Sequence, residues 1–326
     1  MTTIATYQQQ IEDALRDKKY GSNPKELYEP ISYIMSLGGK RLRPVLVMIA
    51  TDIFGGDTSK AIHPALAIEL FHNFTLVHDD LMDKAPLRRN QPTVHKKWND
   101  NIAILSGDAM MVRAYQELCL ADAAMLPQLL EIFSDTAVKV CEGQQYDMNY
   151  ESMTKVSIQQ YIKMIELKTA VLLGGALKIG AAIGGAREED AQRLYDFGKN
   201  IGIAFQLQDD ILDVYADAAK FGKQKGGDII ANKKTYLLLK AIEMAESNRY
   251  MKEELSQWIA APQFDAKEKI EAVINIYNFL NVKELARNEM QKHYDLALTF
   301  LKDIPVSDAK KQELIAFAES LMVREV

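Results

Sequence analysis

Phe74-Thr75-Leu76-Val77-His78-Asp79-Asp80-Leu81-Met82-Asp83 is the stretch that decides how this chain is read. Apolar residues lead at helical spacing into a tight acidic cluster. On a helix, the first and last aspartates of Asp-Asp-x-x-Asp stand one turn apart on the same face. Three carboxylates that close repel one another unless a cation sits among them. A second copy, Asp209-Asp210-Ile211-Leu212-Asp213, follows the apolar run Ile203-Ala204-Phe205-Gln206-Leu207. One such pattern is expected by chance on the order of 0.1 times in a chain of this length, and two on the order of 0.003 times. The pair is therefore a signal rather than two solvated helix faces. Hard divalent cations take oxygen ligands, and Mg²⁺ usually completes its shell with water and substrate phosphates. Such a pair calls for a magnesium-bound, phosphate-bearing substrate.

Outward from these motifs the helical period continues almost throughout, with few alternating β-branched runs. It predicts helices over 5–18, 24–36, 41–54, 62–84, 100–121, 125–150, 157–184, 188–217, 233–246, 265–281, 284–303 and 307–323. Punctuation is sparse, chiefly Gly38-Gly39, Gly55-Gly56, Pro86, Pro92, Gly184-Gly185, Gly226-Gly227 and Pro262. No Gly/Ser linker or charge block divides the sequence, so one all-α domain over 1–326 is expected. Of the 326 residues, 48% are hydrophobic and 26% charged, an ordinary globular balance. A net charge of −6 argues against general nucleic-acid binding. Cys119 and Cys141 form no CxxC or disulfide framework, which fits a reducing cytoplasm. The first residues lack the apolar core of a signal peptide, and Val171 to Ala186 is too short and Gly-rich for a membrane span.

The cations are placed unevenly. Gly38-Gly39-Lys40-Arg41-Leu42-Arg43-Pro44 opens a helix, and helix N-termini favour anions. Lys40 and Arg43 are spaced to point the same way. Arg88-Arg89 trail the first acidic motif, and arginine forks match phosphate oxygens. Lys223, Lys225, Lys233 and Lys234 trail the second. Lys168-Thr169, with Gln206 just ahead of the second motif, offer a hydroxyl and an amide oxygen for a positive charge developing on carbon.

Assembled in this order, the residues from about Lys25 to Phe300 resemble the trans-isoprenyl diphosphate synthases, or polyprenyl synthetases. The resemblance rests on GGKRLRP, the first DDxxD with its Arg-Arg, the Lys-Thr pair, Phe205-Gln206-Leu207-Gln208 entering the second DDxxD, and Asn232-Lys233-Lys234-Thr235. It implies a single helical bundle around a deep central cavity with the acidic motifs facing each other at its mouth, and a homodimer. It implies Asp79, Asp83 and Asp209 as the principal ligands of three Mg²⁺ ions, with Asp80, Asp210 and Asp213 supporting. Arg88, Lys168 and Lys233, with Lys223 nearby, are implied to grip an allylic diphosphate. Lys40, Arg43, His72 and Arg89 are implied to bind isopentenyl diphosphate. Ionisation then leaves an allylic cation facing Thr169, Gln206 and the Lys168 backbone; the alkene attacks, and the departing pyrophosphate removes the proton.

The growing product is expected to run down the helix that carries Asp79. Phe74 lies about 7.5 Å along that axis at 1.5 Å per residue, where its ring would block the cavity floor. Together with Thr75 beside it, and Phe71 one turn deeper, it implies a short product, C20 or C15. Asn90 departs from the family pattern, in which Gly often follows the Arg pair. Two rivals are a terpene cyclase, disfavoured by the intact second motif and the Lys40/Arg43 pair, and a non-catalytic prenyl-diphosphate-binding subunit, which would have lost part of a metal motif.

Overall fold

The computed structural model describes residues 3–216 and 226–322. Helices dominate: α1 (Thr3–Arg16), α2 (Lys25–Ser36), α3 (Leu42–Ile53), α4 (Ile62–Met82), α5 (Val94–Lys97), α6 (Asp100–Leu118), α7 (Leu126–Ser152), α8 (Ile158–Ile165), α9 (Val171–Ile183) and α10 (Glu188–Tyr215). They are followed by α11 (Gly227–Ile230), α12 (Tyr236–Ala245), α13 (Arg249–Ala260), α14 (Ala266–Phe279), α15 (Val282–Lys302) and α16 (Asp308–Met322). The all-α expectation holds. Among the described residues, no helix is long and apolar enough to cross a membrane.

Besides the short helices α5 and α11 and a 3-10 turn at Thr58–Ala61, which were not predicted, three features depart from the predicted helices. Residues 157–184 are one continuous helical stretch but not one regular helix: Glu166–Ala170 form a π turn between α8 and α9. Arg249–Ala260 is helical where none was expected; only Leu255 is fully buried there, so its apolar stripe is thin. Between α4 and α5 the chain makes a two-stranded hairpin, β1 (Leu87–Arg88) against β2 (Gln91–Pro92).

Two compact units can be distinguished. The first comprises residues 1–138, 172–198 and 300–315, and the second 139–171, 199–299 and 316–326. In the first, α4 packs against α3 and α6, and Ala65, Leu66, Ala67, Ile68, Leu70 and Phe71 are all buried. A helix buried all round carries apolar residues on every face, so α4 is rigidly seated before it reaches its acidic end. The second has its own core, in which Tyr161, Ile165, Leu207, Ile211, Leu237 and Tyr277 meet. A capping box between Ser157 and Gln160 starts α8, satisfying backbone N–H groups that would otherwise be unbonded.

Candidate active site

In the first unit, α4 runs without a break into its acidic motif. The Asp83 N–H bonds the Asp79 carbonyl at 2.9 Å, so the two aspartates are one turn apart as predicted. Their neighbour behaves differently. Asp80 is buried, and both its oxygens accept from Arg88, Nε to Oδ2 and Nη2 to Oδ1, each at 2.7 Å. Burial pushes the Asp80 carboxyl up, and the Arg88 fork pulls it back. Arg88 Nη2 also lies 3.9 Å from Asp79. The guanidinium assigned to a diphosphate is thus already docked on the motif.

Arg88 is held by the hairpin. Arg88 pairs with Gln91, leaving Arg89-Asn90 as a two-residue loop with φ of 52° and 61°. Positive φ at both centres is the type I′ signature, and Asn tolerates it. Asn90 therefore does the work of the glycine expected there. Arg89 donates to the Gly38 carbonyl, and its guanidinium packs where a Cβ on Gly39 would stand, 2.9 Å away.

The basic start of α3 is built on a buried arginine that the sequence reading passed over. Arg41, at φ 47°, is buried and donates to Glu12 at 2.9 Å, to Glu69 on α4 at 2.7 Å and to the Met35 carbonyl at 2.7 Å. This network pins the loop carrying Lys40, which is exposed. Arg43 donates to Nε2 of His72 at 3.1 Å. Burial and the charges of Arg43, Arg89, Arg88 and Arg41 hold His72 well below its usual range, so the imidazole is neutral and accepts. Burial also draws Arg43 down to about 10, and its buried Nε has no hydrogen-bond partner in the protein. Such a nitrogen is a hydrogen-bond donor left without an acceptor.

Below the acidic end of α4 the aromatic rings line up. Phe74 meets His78 at 4.8 Å and Phe71 at 5.6 Å, and Phe71 meets Phe133 at 5.5 Å. Thr75 returns its hydroxyl to the His72 carbonyl at 2.7 Å. His78 donates from Nε2 to the Ile104 carbonyl at 3.1 Å, and its ring fills the place that a side chain at Gly107 of α6 would take.

In the second unit the same division recurs. Asp209 and Asp213 are half-buried, and Asp210 is buried. Asp210 accepts from the Tyr161 hydroxyl and, at 3.3 Å, from Gln206 Nε2. Burial and the nearby Asp228 push its carboxyl up to about 8, while these bonds and Lys233 oppose the rise. Gln206 in turn accepts from the Thr169 hydroxyl at 3.3 Å. The predicted Thr169 and Gln206 are therefore joined, and Tyr161 is the member that was not foreseen. Asp213 accepts the Asp228 N–H at 3.0 Å, which ties the motif to α11.

Lys168 and Thr169 lie on the π turn, closed by the Val171 N–H on the Glu166 carbonyl. Such turns insert one extra residue and recur at functional sites. Two glycines make room for it: a Cβ at Gly143 of α7 would strike the Leu167–Lys168 backbone, and one at Gly202 of α10 would strike Ala170. The Lys168 ammonium bonds Asp147 at 2.7 Å, another residue missed by the sequence reading. Lys234 is committed to the carbonyls of Tyr150 and Glu151 at the end of α7. Lys223 lies outside the described residues.

The donor set fits magnesium. In each motif the outer aspartates stand one helical turn apart and are at least partly exposed, while the middle one is occupied inside the protein. Within each motif these are hard oxygen donors of the kind that Mg²⁺ takes, alongside water and phosphate.

The polyprenyl synthetase family model matches residues 24–277. A short chain isoprenyl diphosphate synthase of Methanothermobacter thermautotrophicus is 34% identical over 326 residues, covering 100% of this chain and 98% of that protein. A crystal structure of a geranylgeranyl pyrophosphate synthase superposes with a TM-score of 0.94 at 41% identity, covering 100% of both chains. A geranylgeranyl pyrophosphate synthetase from Pyrococcus horikoshii gives 0.91 at 33% identity, covering 99% of this chain and 98% of that one.

Proposed function

The chain belongs to the polyprenyl synthetase family, and on that premise we propose that it joins isopentenyl diphosphate head-to-tail to an allylic diphosphate, giving a short all-trans product of C20 or C15. The observation that carries this reading is that each aspartate motif anchors its middle carboxylate inside the protein, Asp80 on Arg88 and Asp210 on Tyr161, while Asp79, Asp83 and Asp209 stay at least partly exposed.

Asp79, Asp83 and Asp209 hold magnesium, three ions in all, and Asp80, Asp210 and Asp213 fix the helices that present them. When bound, the metal neutralises the allylic diphosphate as a leaving group. Arg88, Lys168 and Lys233 bind that diphosphate, with Lys223 beside them. Lys40, Arg43 and Arg89 bind isopentenyl diphosphate, supported by the unbonded Nε of Arg43, and neutral His72 orients Arg43. Thr169, Gln206 and the Lys168 backbone turn oxygen dipoles toward the allylic cation. Attack by the alkene forms the new carbon–carbon bond, and the departing pyrophosphate takes the proton, so no protein base is required. Phe74, Phe71 and Thr75 set the product length.

The two units act as one catalytic domain. The enzyme works as a homodimer in the cytoplasm: exposed Ile104, Leu105 and Val112 on α6 offer an apolar surface to a second copy, and both cysteines are free. The test is a product assay on the purified chain with Mg²⁺, isopentenyl diphosphate and dimethylallyl, geranyl or farnesyl diphosphate supplied separately. Linear, magnesium-dependent products stopping at C15 or C20 are expected. Absence of condensation with every starter, or release of a cyclic hydrocarbon, overturns the reading.

A further inference from the structure

Lys269, on the first turn of α14, is 1% exposed. An ammonium group is among the least favourable groups to bury unless its donors are satisfied, and an apolar side chain would fill the same volume without that penalty. Its donors have specific uses here. Nζ bonds Oδ1 of Asn232 at 2.7 Å and reaches the Ile230 carbonyl at 3.4 Å, while the Phe264 ring lies beneath it, 4.1 Å to the centroid. Both acceptors belong to the three residues that lead directly into Lys233.

Asn232 is the pivot of that segment. Its backbone is left-handed, φ 51°, and its Nδ2 donates to the Ile259 carbonyl at 3.0 Å. The ammonium can only donate and the carbonyl can only accept, so the amide orientation is dictated by its two partners. The side chain is thereby clamped at both ends, and the backbone turns sharply at a fixed place. Beyond it the Lys233 N–H returns to the Asp228 carbonyl at 2.9 Å, and the Thr235 N–H bonds the Lys233 carbonyl at 2.8 Å. Gly226, at the start of the same segment, packs on Ile270, one position after Lys269. The direction in which Lys233 leaves the chain is set by these contacts.

We propose that Lys269 is a positioning residue, acting through Asn232 to aim Lys233 at the allylic diphosphate. The inference rests on the reading of Lys233 as a diphosphate ligand and goes beyond it in assigning a buried cation, remote from substrate, to the same reaction. Lys269 touches no substrate in this scheme. Its influence passes through the turn it holds.

The test is a double-mutant cycle on steady-state kinetics of the full chain, with thermal melting measured alongside. Lys269→Met is expected to raise KM for the allylic diphosphate on the order of tenfold while leaving KM for isopentenyl diphosphate unchanged. In a Lys233→Ala background the same change is expected to add nothing to KM, although it lowers the melting temperature in both backgrounds. Additive effects on KM in the two backgrounds, or no rise in KM where Lys233→Ala produces one, overturn the inference and leave Lys233 as a ligand. No rise with Lys233→Ala itself overturns the ligand reading and the inference together. Asn232→Gly, which keeps the left-handed backbone and removes Oδ1, serves as the second variant if Lys269→Met does not fold. It is expected to reproduce the selective rise in KM, and an unchanged KM counts against the proposal.

Discussion

Arg88 lays its fork across both oxygens of Asp80, 2.7 Å at each prong, while Asp79 on the same motif is only half-buried. The two adjacent aspartates therefore fail in different ways when changed. Asp80→Asn leaves the Arg88 charge only partly compensated and is expected to cost about 3 kcal/mol of stability. Asp79→Asn is expected to cost little stability but to lower kcat a hundredfold or so and to shift the Mg²⁺ dependence upward. Urea unfolding and a magnesium titration of activity, run on both variants, separate the two roles. Equal losses of stability would sink the distinction.

Phe74 stands in a row of rings, with fully buried Phe71 and then Phe133 behind it. Phe74→Ala should lengthen the product by one or two five-carbon units and then stop, because Phe71 remains. Phe71→Ala empties a packed site and should cost about 3–5 kcal/mol as well. Product chromatography reads the first effect and melting the second. An unchanged product spectrum in Phe74→Ala would remove this ring from the cavity floor.

Gly143 has no room for a side chain against the Lys168 backbone. Gly143→Ala is expected to displace the π turn, costing about 1–3 kcal/mol through overpacking and reducing kcat more than KM. If kcat fell no further than stability alone dictates, the turn would have no part in catalysis.

His72 is held below its unperturbed value by burial and by Arg43 beside it. The unfolded chain therefore takes up a proton near pH 6.5 that the folded chain refuses. The stability tied to His72 is complete above that pH and is lost as pH falls below it, with a slope of up to about 1.4 kcal/mol per pH unit. His72→Gln should flatten the acid side of the profile between pH 7.5 and 5.5. His293, depressed by its own burial, leaves a residual slope in both proteins.

Most of the helices were legible because a 3.6-residue apolar period is written directly into the chain. The acidic motifs were legible for the same reason: spacing alone puts their outer members on one face. What escaped was of another kind. The π turn adds one residue to an otherwise helical run, and no local residue announces it; the only trace is a pair of glycines distant in sequence, Gly143 and Gly202. Helix α13 was missed because Leu255 is its one fully buried residue, although Asn248 caps it by accepting the Met251 N–H. Arg41 reads as one more surface cation until Glu69, a turn before Asn73 on another helix, is seen to neutralise it. Partners far apart in sequence decide whether a charge is buried. A single chain does not display them.

His78 and Gly107 share one space, the imidazole of α4 lying where a methyl group on α6 would go. Gly107 cannot gain a side chain while the imidazole stays, so heredity must treat the two as one character. A genetic screen starting from Gly107→Ala should recover second-site suppressors at position 78 that carry Ser or Ala, and aligned descendants of this chain should show the two columns changing in step.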